Sequence, residues 1–273
     1  MSVGQHALST ADRAADSKTL EWFTRGGFVG YGVVHLLVAW LVSQIAFGRS
    51  TGAGDQSGAL RELAGQPLGR FLVIATVVGL AAMAIWQAFE AAIGHRGDTG
   101  RVRVGERLMS LGRVGVYLYF ALTGYKVQRG ARSSSADSQQ QASEHLMAQT
   151  GGRWLVGLIA LLVMAVGTGL AVYGYQRRFE KHLHVDRMSA AVHRVCRRLG
   201  VLGYLAKGIA YAIAGALLMT AAVAYEPDKA RGLDATVRTL AEQPYGGALL
   251  AAMAAGIAAY GVFCLIQARY RKV

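Results

Sequence analysis

The sequence predicts an all-α membrane protein, with six transmembrane helices arranged as three tandem two-helix repeats around a pseudo-threefold axis. Short amphipathic helices are expected in the outer loops. Three observations predict this fold class: long apolar runs without charges, basic residues at the ends of those runs, and a motif that recurs three times. The composition agrees, because 16% of the 273 residues are charged, whereas a soluble domain carries about 25%.

Six apolar runs are long enough to be transmembrane helices. A helix needs roughly 20 apolar residues, at about 1.5 Å each, to cross about 30 Å of hydrocarbon. Backbone groups inside lipid must be satisfied internally, which makes the runs helical. The third run holds Arg113 and Lys126, and we retain it because long basic side chains reach the interface and because the repeat requires it. The predicted spans are 28–47, 71–89, 108–127, 154–176, 199–225 and 243–268.

The basic residues predict the orientation. Most of the 29 lysines and arginines lie in segments that are cytoplasmic if both termini are inside, and cytoplasmic loops carry such an excess. We therefore expect a multi-pass protein of the cell (plasma) membrane with both termini cytoplasmic. The first 24 residues contain no apolar stretch typical of a cleavable signal peptide, so the first span is expected to remain as an anchor.

A motif recurs at the start of the second helix of each pair. It reads Gln-Pro-Leu-Gly-Arg at 66–70, Gln-Thr-Gly-Gly-Arg at 149–153 and Gln-Pro-Tyr-Gly-Gly at 243–247. We expect a short amphipathic helix before each copy, with its apolar face at the outer interface. These helices are predicted at 58–65, 142–149 and 235–243. The polar stretch 133–141 is expected to be a flexible outer loop.

The first helices of the repeats align through 32–35 and 208–211. This alignment places Tyr31, Arg113 and Lys207 at one equivalent position. The predicted organisation is a single membrane domain with a cytoplasmic N-terminal segment, three repeats and a short basic C-terminal tail. Its boundaries are 1–24 for the N-terminal segment and 25–97, 98–180 and 181–273 for the repeats, with the tail at the end of the last.

The triple repeat and the Gln-x-x-Gly-Arg start resemble a known family. These are the actinobacterial membrane proteins catalogued as a domain of unknown function, number twelve-oh-six. The resemblance covers residues from about 25 to 269, nearly the whole chain. It implies an architecture of three two-helix units and no established activity, so it assigns no functional residues.

A polar cluster is predicted in the cytoplasmic half of the membrane. Ionisable groups within spans are costly and mark candidate functional sites. The functional interpretation is a pocket open to the cytoplasm that binds an ion, a proton or a small anion. The structural interpretation is that Glu90 pairs with Lys207 or Arg113 to hold helices together, while His35 bonds a backbone carbonyl. The candidate residues are His35, Gln87, Glu90, Arg113, Tyr117, Lys207 and Tyr211.

The basic loop between the fourth and fifth spans is predicted to contact anionic lipid or a partner protein. A bis-histidine haem is not expected, because His35 is the only clear histidine within a span. No metal site, cofactor or nucleic-acid partner is predicted, since no spacing matches a defined site and the basic residues flank apolar runs. The loop residues are Arg177, Arg178, Lys181, Arg187, Arg194, Arg197 and Arg198.

These observations leave three classes of function open. The first is a non-enzymatic membrane scaffold or binding protein that contacts anionic lipid or a partner, with a homo-oligomer also possible. The alternative is a transporter or channel for a small solute, ion or proton, with its polar site in the cytoplasmic half. An enzyme that modifies lipid ranks last, because no catalytic constellation appears in the sequence.

Overall fold

The computed structural model describes residues 18–48, 60, 64–65, 69–93, 100–130 and 135–272, and all regular structure in this part of the chain is helical. Among the described elements, six α-helices have more than 20 residues and two are shorter, with three 3₁₀ turns between them. The α-helices are α1 (Lys18–Ala46), α2 (Gly69–Ile93), α3 (Gly100–Gln128), α4 (Ser135–Met147), α5 (Gly152–Tyr175), α6 (Ala190–Ala224), α7 (Leu233–Ala241) and α8 (Gly246–Tyr270).

In the part of the chain that the structure describes, four helices are long and apolar enough to cross a membrane. They lie within α1, α5, α6 and α8. Helix α2 contains a shorter apolar stretch, Val73–Phe89, and α3 carries basic residues along its first half. Large apolar side chains nevertheless face outward on α2, α3 and α5, including Phe71, Leu108 and Leu162. Exposed apolar surface of this extent is typical of contact with lipid.

The long helices pair across repeat boundaries. The most extensive contacts join α5 to α6, α8 to α1, and α2 to α3. In each of these pairs, the second helix of one repeat packs against the first helix of the next, and the third repeat returns to the first. Within repeats, α1 also packs on α2 and α6 on α8. The repeats therefore interlock in a cycle.

Glycines set two of these crossings at equivalent positions. A Cβ atom on Gly32 would lie 2.9 Å from the carbonyl oxygen of Gly261, where α1 meets α8. A Cβ atom on Gly208 would lie 2.6 Å from the carbonyl oxygen of Gly167, where α6 meets α5. Small residues permit this close approach of helix backbones. Gly32 aligns with Gly208, and Gly167 aligns with Gly261. Equivalent glycines therefore permit the same close approach of helix backbones at two interfaces between repeats.

The recurrent motif forms the turn between a short outer helix and the long helix that follows. Gly152 N–H donates to Gln149 O (2.9 Å), and Gly246 N–H donates to Gln243 O (2.8 Å). A Cβ atom on Gly246 would lie 2.4 Å from the carbonyl oxygen of Ala241. The glycine of the motif is thus required because the preceding helix ends against it.

One end of the bundle holds the two short helices α4 and α7, which lie in loops between long helices. We call it the helical-loop end. Helix α7 confirms the amphipathic helix expected at 235–243, with slightly different limits. It is more enclosed than an interfacial helix, because Asp234, Ala235, Thr236 and Val237 are all buried. The flexible loop expected at 133–141 is wrong from Ser135 onward, where α4 begins, and α4 contains most of the helix expected at 142–149. The helix expected at 58–65 lies largely outside the described residues.

The basic end of the bundle holds the connection from α5 to α6 and the C-terminal residues. Leu183 and Arg271 form a β-bridge, and His184 N–H donates to Tyr270 O (2.8 Å). Phe179 is fully buried and stacks on Tyr204. The connection therefore folds back over the bundle. Helix α1 spans Lys18–Ala46 and extends beyond the predicted span 28–47 at its start, so the last residues of the expected N-terminal segment are helical.

The core has two layers. An aliphatic layer near the helical-loop end includes Val38, Val42 and Ile257. An aromatic layer toward the basic end includes Tyr31, Phe120, Phe179, Tyr260 and Phe263.

Candidate functional site

Lys207 lies inside the bundle and is surrounded by tyrosines. Its Nζ donates a hydrogen bond to the Tyr31 hydroxyl (2.6 Å). The same nitrogen lies 4.3 Å from the ring centre of Tyr260 and 4.9 Å from that of Tyr31. Tyr211 contributes a third ring at 5.9 Å. Aromatic faces attract cations, so the three rings partly compensate the charge of the ammonium group.

His35, on α1, lies beside Lys207 of α6. Its Nδ1 bonds the carbonyl oxygen of Tyr31, one turn earlier (2.8 Å). Because a carbonyl only accepts, Nδ1 carries the proton in this bond, and a neutral ring then leaves Nε2 as an acceptor. The ring centre lies 4.3 Å from Tyr31 and 4.9 Å from Tyr260. The bond to a backbone carbonyl is the one that the structural interpretation of His35 expects.

A small cavity opens against these groups. Its volume is about 20 Å³, enough for one water molecule or an ion of similar size. Its lining combines polar side chains with aliphatic ones. Leu233 of α7 takes part, so the cavity lies toward the helical-loop end from Lys207. The lining residues are His35, Val38, Lys207, Ala210, Tyr211, Leu233, Ile257 and Tyr260.

The remaining predicted cluster residues do not contact Lys207 in the described part of the structure, although Tyr117 borders the site. Tyr117 contacts the Tyr31 ring (6.0 Å between centres). Gln87 is buried on α2, and its Oε1 has no hydrogen-bond partner among the described residues. Arg113 lies toward the basic end, where it and Arg271 act on His182. Glu90 belongs to α2, but its side chain is outside the described part of the structure.

Two residues of the site were not among the predicted candidates: Tyr31, which the repeat had only aligned with Lys207, and Tyr260. Tyr260 is the less expected of the two. It contacts Lys207, His35, Tyr31 and Tyr204 by its ring. In the sequence it is one tyrosine in a long apolar run, without a charged neighbour. The repeat gave no signal either, because it aligns Tyr260 with Met83, an apolar position of α2.

The basic loop presents most of its predicted residues to solvent. Arg197 is the exception, because its Nε donates to Glu180 Oε1 (2.8 Å). Glu180 also lies 3.5 Å from His193 Nε2. Burial lowers the pKa of His182 to about 4, and the nearby positive charges of Arg271, Arg113, Lys181 and Lys272 act in the same direction. The exposed residues of the loop are Arg177, Arg178, Lys181, Arg187, Arg194 and Arg198.

Comparison with known proteins identifies the class of the chain. The model of the family described as Domain of Unknown Function (DUF1206) matches three times, at residues 26–94, 109–177 and 202–271. These matches span most of the chain and coincide with the three pairs of long helices. The chain therefore belongs to this family of three-repeat helical proteins, as the resemblance in the sequence implied.

One relative matches over nearly its whole length. It is a protein of Bacillus subtilis (strain 168) described as "Uncharacterized protein YxxB". It is 28% identical over 263 residues, which cover 94% of each chain. No solved structure matches the chain.

Proposed function

We propose that the chain is a non-enzymatic scaffold of the cell membrane whose basic end binds anionic lipid. In this proposal all six long helices span the bilayer, both termini are cytoplasmic, and the repeats surround a pseudo-threefold axis. The observation that carries the function is the exposed set of basic side chains where the apolar helices α5 and α8 end and α6 begins. Juxtamembrane clusters of this kind attract anionic headgroups.

The packing of the repeats supports the pseudo-threefold arrangement. The three extensive pairings run in a cycle from each repeat to the next. Tyr31 and Lys207 occupy equivalent positions in the first and third repeats, and they bond each other. Equivalent residues meet in this way when they lie close to a symmetry axis. The axis would then pass through the tyrosine cluster around Lys207.

The charge distribution supports lipid binding. Two acidic residues of the basic loop already have partners, because Glu180 pairs with Arg197 and Asp186 lies 3.8 Å from His184 Nδ1. Lys181 and Arg187 are exposed, and no ion pair with an acidic group is found for them in the described chain. Their charges are available to phosphate groups of lipid.

A matched pair of double variants tests this role. Replacement of Lys181 and Arg187 by Gln removes one lysine and one arginine from the basic end. The control, Lys126→Gln with Arg129→Gln, removes the same charges from the exposed end of α3. Because a basic residue near the surface contributes about 1 kcal/mol to attraction, we expect phosphatidylglycerol affinity to fall roughly tenfold or more in the first variant only. Native mass spectrometry and titration with labelled lipid measure this affinity.

Equal affinity of both variants and the parent protein would contradict the proposal. Higher salt should weaken the binding, because exposed charges are screened. Retention of phosphatidylcholine to the same degree as phosphatidylglycerol would also contradict it, since a zwitterionic headgroup gains little from a basic surface.

Transport ranks below this role because the centre of the bundle is closely packed. A pathway needs a water-filled connection between the cavity at His35 and the basic end. Phe179, Tyr204 and Phe263 pack together between them. A protein partner or a second copy of the chain at the basic end is compatible with the scaffold role, and the same mass spectra report either one. A lipid-modifying enzyme has no supporting constellation in the described residues.

A further inference from the structure

The positive charge of Lys207 has no negative partner in the described protein. Its polar contact is the neutral hydroxyl of Tyr31, and no carboxylate among the described side chains lies within ion-pair distance of Nζ. A charged group inside a membrane bundle is costly and usually pairs with an opposite charge or borders a polar cavity. The rings of Tyr31, Tyr211 and Tyr260 compensate it in part.

The adjacent cavity has the composition of an anion site. Lys207 supplies the charge and two N–H donors besides the one bonded to Tyr31, and tyrosine side chains offer hydroxyl donors. His35 is engaged through Nδ1, so in its neutral form it adds no second charge. Val38, Ala210, Leu233 and Ile257 form apolar walls. Such walls accept a weakly hydrated anion and exclude one that must keep its water shell.

We infer that this cavity binds a small monovalent anion of the size of chloride, held by Lys207. The site is independent of lipid binding at the basic end, because the packed aromatic side chains lie between the two. Leu233 connects it to α7, which closes the opposite end of the bundle. An anion here would complete the charge balance of Lys207 and stabilise the contacts of α1, α6 and α8 with one another.

The size of the anion provides the first test. The purified protein is unfolded by heat in buffers of equal ionic strength that contain chloride, bromide or gluconate. We expect the unfolding temperature in chloride or bromide to exceed that in gluconate by about 3 °C or more, since a ligand that binds only the folded state stabilises it. Equal unfolding temperatures in all three salts would overturn the proposal and indicate that water alone fills the cavity.

Variants locate the effect. Lys207→Met should abolish the difference between chloride and gluconate, whereas Lys126→Met, at the exposed end of α3, should retain it. Lys207→Arg keeps the charge and serves if the methionine variant fails to fold; it should keep a preference for small anions. A chloride effect that survives Lys207→Met would place the ion elsewhere and refute this site.

Direct binding provides the last test. The wild-type protein should broaden the NMR signal of chloride. Bromide should reverse this broadening because it displaces the bound chloride, and gluconate should not. The Lys181 and Arg187 double variant should broaden the signal as the parent protein does. This result separates the two proposals, because loss of lipid affinity without loss of chloride binding supports both, and loss of chloride binding in that variant contradicts this one.

Discussion

Tyr31 stabilises Lys207 in two ways, through its hydroxyl and through its ring. Tyr31→Phe removes the hydrogen bond of 2.6 Å and keeps the aromatic face. Hydrogen bonds to charged groups contribute about 1.5–3 kcal/mol, so we expect the free energy of unfolding to fall by about 2 kcal/mol in a denaturation experiment. The control is Tyr119→Phe, whose side chain is 40% exposed. Equal losses from both variants would contradict a specific role of the Tyr31 hydroxyl.

His182 makes stability depend on pH. Its pKa is about 4 in the folded protein, below the ordinary value of 6.5. The unfolded chain therefore binds the proton more readily. The contribution of His182 to the free energy of unfolding is complete above about pH 6.5 and is lost as the pH falls through 4. The side chain is partly exposed, so the effect is modest. We expect His182→Gln to show a smaller loss of unfolding temperature between pH 7 and pH 4. An unchanged loss would assign it to other groups.

At the scale of single residues, the sequence predicted which charges are unusual and missed their neighbours. Lys207 and His35 stand out because they interrupt apolar runs. Tyr260 and Phe179 do not, since aromatic residues are equally common in cores and at membrane interfaces. The sequence also suggested that Glu90 pairs with Lys207 or Arg113, and this pairing stays a prediction because the Glu90 side chain lies outside the described residues. The hydrogen bond of Lys207 to the Tyr31 hydroxyl was not expected.

The crossing of α5 and α6 depends on a close approach of their backbones. Gly167→Val would place side-chain atoms against Gly208 and Tyr211, because even a Cβ atom lies 2.7 Å from the Gly208 carbonyl oxygen. Overpacking of this kind costs about 1–3 kcal/mol or more, and we expect a lower unfolding temperature. Gly169→Val is the matched control on the same helix, since no atom lies within 4 Å of a Cβ there. Similar effects of both variants would reject the crossing as the cause.

The outer helices are joined by a charged network. Arg231 contacts Asp137 of α4 (2.9 Å), Asp234 of α7 (3.1 Å) and Gln140 of α4 (2.7 Å). In the Arg231→Gln variant, the buried carboxylate of Asp234 keeps its ion pair with Arg238 (2.9 Å).

We expect Arg231→Gln to lower the free energy of unfolding by about 1–2 kcal/mol, because removing one member of a buried pair is costly and Arg231 is only partly buried. Proteolytic cleavage in the segments next to α4 and α7 should also become faster. Lys229→Gln breaks only a surface pair with Glu226, and such pairs contribute little. If limited proteolysis does not distinguish the two variants, the network does not hold the outer helices together.

At the scale of elements, the long helices were predictable from hydrophobic length and the outer helix α4 was not. The segment that begins α4 is rich in serine and glutamine, and such composition is typical of loops. Its helix is supported by partners distant in sequence, because Gln140 bonds both Asp228 and Arg231. Contacts between residues so far apart in sequence cannot be predicted from the local amino-acid pattern.

The number of spans is testable in whole cells. The six-span proposal places the start of α3 in the cytoplasm and its end outside. Native cysteines 196 and 264 are buried, so added cysteines give a clear signal. An impermeant maleimide should label Arg129→Cys in intact cells, and Gly105→Cys only after permeabilisation. Labelling of both from outside would show that α2 and α3 do not cross the membrane.

The cyclic pairing has a consequence for biosynthesis. Helix α1 leaves the ribosome first, yet one of its most extensive contacts is with α8, which is made last. Until α8 has been synthesised, the surface of α1 around Gly32 has no protein partner and is covered by lipid or by an insertion factor. A truncated chain ending after the second repeat would leave that surface and the matching surface of α5 uncovered. Both ends of the helical chain also lie at the basic end, so joining them and opening the chain between other repeats should preserve the same assembly.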